Sequence, residues 1–280
     1  PDDILFRTRQ PSGGNAREWE LRPGRDERLA GNLDSSLLKT LALCFMLIDH
    51  LGVALFGNLL EMRVLGRIAL PLYAWCLIVG NVKTRHPLRY FGRLLLLAVL
   101  SQPLYMMALS HSWRHLNILF LLALATAAIQ SIRLRRFGSQ FWGPALCYLV
   151  LGFCEIDYGW RGLTFILLLY LARESQGGLA AAFLGYALFW GSSSQTVTTF
   201  FGYELGVLRW PGLGDLFSAF FHLQTLAWLA LPLILTRTSS GLKMPKWLGY
   251  GLYPLHLVLL IVLRLMFGGA TWAGIISCFH

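Results

Sequence analysis

Apolar runs close to bilayer length recur between residues 37 and 267, separated by short polar connections. A helix needs about 20 apolar residues to cross the hydrocarbon core. On that measure the pattern predicts membrane helices over 37–60, 64–82, 91–109, 116–132, 141–153, 163–172, 179–191, 216–236 and 247–267. The fifth to seventh runs are short. A tilted or re-entrant piece is expected around 197–216, and another after 267. None of the runs alternates with the period of a barrel strand, and lipid admits only helices or closed barrels. The expected fold is all-α, a polytopic transmembrane bundle of about nine to ten membrane helices.

Composition points the same way. Of 280 residues, 56% are hydrophobic and 14% charged, where soluble domains carry about a quarter charged. Too little polar surface remains to cover a soluble core of this size, and lipid removes the need for it. Residues 1–34 differ, being rich in acidic residues and arginine with no apolar periodicity. They read as a flexible cytoplasmic tail before a transmembrane domain over 35–280. The tail has no apolar core of the kind a secretory signal carries. Lys and Arg concentrate in this tail and in alternate connections: Lys83, Arg85, Arg89 and Arg93, then Arg133, Arg135 and Arg136, then Arg173, then Arg237, Lys243 and Lys246. Positive connections are retained in the cytoplasm, so the N-terminus is expected inside, with these loops against anionic lipid heads. That topology accounts for the formal charge of +10 without a nucleic-acid partner. The cysteines form no CxxC pair and mostly sit in apolar runs, so no metal site is expected. No internal repeat is evident, which weighs against a secondary transporter.

Polar residues inside the apolar runs are costly, about 2.5–3.5 kcal/mol for an ionisable one on insertion scales, and so call for a reason. Asp49 and His50 lie about twelve residues into the first run, near its middle. Neighbouring helix positions point about 100° apart, so at least one of the two faces the bundle. A carboxylate beside an imidazole raises its basicity, which suits a general base; a polar pair that glues helices is the alternative. His256, within Tyr253-Pro254-Leu255-His256, reaches a similar depth in the last run, and Pro254 is expected to kink that helix. Arg67, near the outer end of the second run, either snorkels to the interface, pairs with Asp49 or holds an oxyanion. Arg63 lies closer to water and reads as an interface anchor. His222, Gln224 and Asn117 are further polar candidates, and Lys39 at the inner end of the first run could snorkel or touch a phosphate. Glu155, Asp157, Tyr158, Trp160 and Arg161 form an outer connection that could seat a substrate amine or simply anchor the interface.

The same residues carry a family resemblance. Lys39 with Ile48-Asp49-His50-Leu51-Gly52, then Leu65-Gly66-Arg67-Ile68-Ala69-Leu70-Pro71, resembles the opening pattern of the TraX family. Asp157-Tyr158-Gly159-Trp160-Arg161-Gly162 and the apolar run ending at Tyr170 look like its middle motif. The run 229–235, the loop 241–246 and Tyr253-Pro254-Leu255-His256-Leu257 look like its closing motif. The match runs in order from about residue 37 to about residue 260, leaving the tail outside. Arg161 stands where a less polar residue is expected, and 236–240 depart from the family's Tyr-Asn-Gly.

The resemblance implies acetylation of the N-terminus of a conjugative pilin subunit, with acetyl-CoA as donor, in a bacterial inner membrane. It also implies kinship with larger membrane acyltransferases that use an intramembrane histidine, which agrees with the reading of His50. The expected donor contacts are Lys39, Lys83, Arg85, Arg89, Arg93, Arg133, Arg135 and Arg136, facing anionic phosphates from the cytoplasmic side. His50, backed by Asp49, would act as base or take the acetyl group, with Arg67 or His256 steadying the oxyanion. Asp157, Tyr158, Arg161, Asn117, His222, Gln224 and Tyr253 would meet a pilin-like membrane peptide. The alternatives are an acetyltransferase for a glycan or small molecule, a proton-coupled transporter using Asp49 and His50, and a pilus-assembly factor without catalysis.

Overall fold

The computed structural model describes residues 28–210, 212–242, 245–267, 271–272 and 275. Residues 1–27, where most of the expected tail lies, are outside the described residues, as is Lys243. The described chain is mostly helical: α1 (Ser35–Ala54), α2 (Leu60–Gly66), α3 (Ala69–Lys83), α4 (Pro87–Leu109), α5 (Ile118–Leu134), α6 (Ser139–Phe153), α7 (Gly159–Leu171), α8 (Gln176–Gly191), α9 (Gly214–Phe220), α10 (Leu231–Leu235) and α11 (Lys246–Phe267). Among the described residues, three helical stretches are long and apolar enough to cross a membrane: Ser35–Ala54, Leu60–Lys83 and Pro87–Leu109. Shorter apolar helices follow at Ile118–Leu134, Gly159–Leu171, Thr225–Leu235 and Gly251–Phe267.

α3 is the centre of the packing. Most of its residues are buried, Trp75 completely, and α1, α5, α7 and α10 all pack on it. The second expected run is not one helix. It breaks at Arg67 and Ile68, between α2 and α3. Pro71 is the cause the sequence offers: it has no N–H for the Arg67 carbonyl four residues back, and its ring crowds that carbonyl. Pro254, in contrast, lies within an α11 that runs through it.

Two expectations fail in the region from 197 to 236. The single helix expected over 216–236 is three short pieces: α9, a 3-10 turn over Thr225–Ala230, and α10. An isolated bridge between Thr196 and His222 separates α9 from the 3-10 turn. The Val197 N–H donates to the Phe221 carbonyl and the Leu223 N–H to the Gln195 carbonyl, so backbone groups a continuous helix needs are spent across the bridge. The piece expected around 197–216 as tilted or re-entrant is a two-stranded hairpin, β3 (Thr199–Phe200) with β4 (Tyr203–Glu204), followed by a 3-10 turn over Gly206–Arg209. A second small ladder pairs β1 (His115–Leu116) with β2 (Glu155–Ile156) in parallel.

The segment leading into α1 is tied to the bundle. The Trp75 indole donates to the Asn32 carbonyl at 2.7 Å, and the Asn32 amide donates to the Leu233 carbonyl and the Thr238 hydroxyl. Asp34 caps α1 through the Leu37 N–H and accepts from both the N–H and the hydroxyl of Ser240. The stretch 236–240, where the sequence departs from the family pattern, is thus the partner of Asn32 and Asp34. On the outside, α4 presents Leu88, Leu95, Leu96, Val99 and Leu100, and α6 presents Phe141, Leu146, Leu149 and Phe153. Apolar surfaces that large are costly in water and suit lipid.

Candidate functional site

On α1, Lys39, Leu43, Met46 and His50 follow the spacing of one helical stripe. On α11, Gly249, Leu252, Tyr253 and His256 do the same. The two helices pack together, and their stripes meet at the histidines. Nδ1 of His50 lies 3.2 Å from Nε2 of His256, with the rings near parallel and their centroids 5.3 Å apart. His256 is buried and His50 half-buried. A nitrogen pair at that distance needs one donor and one acceptor, so one proton sits between the rings and the two tautomers are linked.

Below the histidines lies a cavity of about 380 Å³ between α1, α3, α4, α5 and α11. Lys39, Lys83 and Arg93 line one end; Met46, Tyr73, Leu252 and Tyr253 line it deeper in. Met46 and Leu252 each precede a histidine by four residues, about 6 Å along a helix axis. The cavity therefore ends one turn short of the histidine pair. Its volume falls in the usual range for small-molecule sites, about 300–1,000 Å³. Of the basic residues expected at the donor, Lys39, Lys83 and Arg93 line it, whereas Arg85, Arg89, Arg133, Arg135 and Arg136 do not. Arg133 is engaged elsewhere, donating to the Asn81 carbonyl at 2.6 Å and to the Gln130 side chain.

Asp49 is buried and pairs with Arg63 at 3.4 Å, not with His50. The reason is the angle between neighbouring helix positions: with His50 turned to α11, Asp49 turns to α2. There it packs on Gly66, where an added methyl would collide with the Asp49 Cβ, Cγ and Oδ1. Arg63, expected to be an interface anchor, is the ion-pair partner instead. The remaining Asp49 oxygen and the Nε of Arg67 have no hydrogen-bond partner among the described residues. Arg67, at the break after α2, does not line the cavity.

The connections after α4 and α6 add a second polar group. Pairing of β1 with β2 and the bond from the Asp157 N–H to the Leu116 carbonyl set Asp157 beside the His115 segment. Burial pushes the Asp157 carboxyl up to about 6; His115 and Arg67 pull it down and Asp49 adds to the rise. His115 stacks on His111, centroids 4.5 Å apart, and His111 on Tyr105 at 5.1 Å. Burial, then the charge of His115, lowers His111. Sequence reasoning missed Tyr105, His111 and His115: two of them sit in a short polar loop, where histidine is unremarkable until its neighbours are known.

Of the other candidates, Asn117, His222, Gln224 and Arg161 are engaged elsewhere, whereas Tyr158 lies near Asp157 and Arg67. Asn117 is fully buried and caps α5 through the Leu119 N–H, while its amide donates to the Ala98 carbonyl and to Gln102. His222 pairs with the Ser194 carbonyl at 2.6 Å, and the Gln224 N–H donates to the Ser194 hydroxyl. Arg161 turns to Ser193 at the end of α8 and over Trp160. Tyr158 is the residue before α7, with a left-handed backbone, φ 63°.

Fold and site together define a helical protein with lipid-suited outer faces, a basic-mouthed internal cavity and a histidine pair one turn beyond it. The chain belongs to the TraX family: the model described as TraX protein matches residues 34–264. An uncharacterized protein of Rickettsia prowazekii (strain Madrid E) is 29% identical over 150 residues, 51% of this chain and 57% of that protein. The chain thus spans just over half of that relative. A probable fimbrial assembly protein, FimC of serogroup H1, from Dichelobacter nodosus is 30% identical over 167 residues, 53% of this chain and 68% of that protein. No solved structure matches.

Proposed function

We propose that this protein is an acetyltransferase of the bacterial inner membrane, moving the acetyl group of acetyl-CoA to the N-terminal amine of a pilin-like membrane peptide. The cavity carries this reading. Its Lys39, Lys83 and Arg93 end suits anionic phosphates, its apolar wall suits a pantetheine arm, and its deep end stops one turn from His50 and His256. Membership in TraX and the Dichelobacter relative's description as a fimbrial assembly protein support a pilin-like acceptor. In this reading the shorter apolar helices complete a bundle of about nine or ten crossings, with the N-terminus in the cytoplasm where acetyl-CoA is made.

His50 serves as general base, taking a proton from the acceptor amine as the amine attacks the thioester carbonyl. His256 fixes the His50 ring through the shared proton, the part first given to Asp49. Asp49 and Arg63 hold α1 against α2 next to the base. The test is purified protein in vesicles with acetyl-CoA and a synthetic pilin-like peptide, with mass spectrometry for the gain of one acetyl group. A peptide left unmodified in the presence of bound acetyl-CoA sinks the reading. An assembly role without catalysis, which the Dichelobacter description favours, would appear as pilin binding with no acetyl-CoA consumed.

Two measurements probe the ends of the site. Lys83→Gln with Arg93→Gln raises the KM for acetyl-CoA about tenfold or more and leaves kcat largely intact, since charge-assisted bonds of about 1.5–3 kcal/mol are lost from binding alone. A fall in kcat at unchanged KM would contradict a phosphate-facing role. At the outer end, Asp157 is charged above about 6 and neutral below it. A carboxylate holding an ammonium acceptor is lost as the pH falls through that value. The apparent KM for the peptide is therefore expected to climb below pH 6 in the wild type, and to be high and flat in Asp157→Asn. Matching pH profiles for the two proteins would remove Asp157 from the acceptor site.

A further inference from the structure

We infer that the Tyr253 hydroxyl is the donor that meets the thioester carbonyl oxygen as negative charge builds on it; this rests on the acetyltransferase reading above. Tyr253 is 6% exposed, and its hydroxyl, buried from solvent, has no hydrogen-bond partner among the described residues. A buried hydroxyl left unpaired costs about 1–3 kcal/mol, and native proteins rarely keep one without a use. The Tyr253 residue lines the cavity, and its ring meets His256 edge-on with centroids 5.0 Å apart. It is thus a vacant donor between the space for the donor substrate and the histidine pair.

The two residues first considered for this part are placed less well. The Nε2 of His256 already faces Nδ1 of His50, and Arg67 lies by Asp49 and does not line the cavity. Tyr253 has a proton to give and no other claim on it. In the step it serves, the amine nitrogen bonds to the carbonyl carbon and the π pair moves onto oxygen, where the Tyr253 O–H donates to it. His50 accepts the amine proton. The carbonyl re-forms as the C–S bond breaks, its electron pair goes to sulfur, and the thiolate takes up a proton to leave as free thiol.

Tyr253→Phe removes the hydroxyl and keeps the ring. A hydroxyl that acts on the transition state alone gives a loss of kcat on the order of 100-fold with little change in the KM for acetyl-CoA, as for the loss of one oxyanion donor. Because the hydroxyl has no partner in the free protein, the thermal midpoint is expected to hold or rise, a response a structural hydrogen bond would not give. The measurement is steady-state kinetics and thermal unfolding of wild type and variant in the same vesicles. Undiminished kcat in the variant beside an active wild type overturns the assignment alone. So does a fall in kcat accompanied by a lower midpoint, which marks lost packing. A wild type that never transfers acetyl overturns both this inference and the function it rests on.

Discussion

On the proposed acetyltransferase function, replacing His50 by alanine is expected to lower acetyl transfer on the order of 1,000-fold, within the span of about 10²–10⁴ that a positioned acid or base contributes. The protein still folds. His50 is half-buried, and its hydrogen-bonding ring neighbour is His256. Its removal leaves one imidazole nitrogen unpaired beside a cavity, a cost of about 1–3 kcal/mol that a bundle of this size can carry. His50→Gln separates chemistry from support: its amide can still bond to His256 but cannot take a proton at neutral pH. Both variants are expected to lose activity together while circular dichroism and the thermal midpoint stay close to wild type. Turnover retained in His50→Gln would show that the residue positions its neighbour and does not act as the base.

Gly66→Ala is expected to destabilise the protein by about 3 kcal/mol, the upper part of the range for overpacking, and to take activity with it. Gly66 ends α2 in an ordinary helical conformation, so the cost is not one of backbone strain. It comes from the Asp49 side chain, which occupies the space an added methyl needs. Either α2 withdraws from α1, or Asp49 rotates away and abandons Arg63. The second route leaves a buried charge unpaired, at about 3–5 kcal/mol. Gly92→Ala is the control: it lies in α4 with nothing near its added methyl, and relief of glycine's entropy cost gives about 0.5–1 kcal/mol of stability. Thermal unfolding of the two variants in one lipid mixture checks the pair. Equal midpoints would mean that α1 and α2 do not meet as closely as described.

The sequence alone determined most of the helices, because apolar run length is a local property that lipid or a core reads directly. Six of the expected runs correspond to α1, α4, α5, α6, α7 and α8 within a few residues, and the last to α11. It also brought His50 and His256 to one depth, since both positions can be counted from the inner end of their helices. It showed as well that at least one of Asp49 and His50 faces the bundle, because neighbouring helix positions diverge. Which partner each would take was decided by tertiary structure alone. Arg63 rather than His50 meets Asp49 because the connection over 55–59, with left-handed backbone at Gly57 and Asn58, folds α2 back along α1. The break between α2 and α3 has its local signal in Pro71, which offers no N–H to the Arg67 carbonyl. The bridge from Thr196 to His222 joins residues far apart in sequence and overrode an apolar run that read as helix. Asn117, polar within an apolar stretch, gave the same signal as a site residue and serves as a cap. Periodicity reports which face of a segment is buried. It carries no information on what lies opposite, and a site is made of what lies opposite.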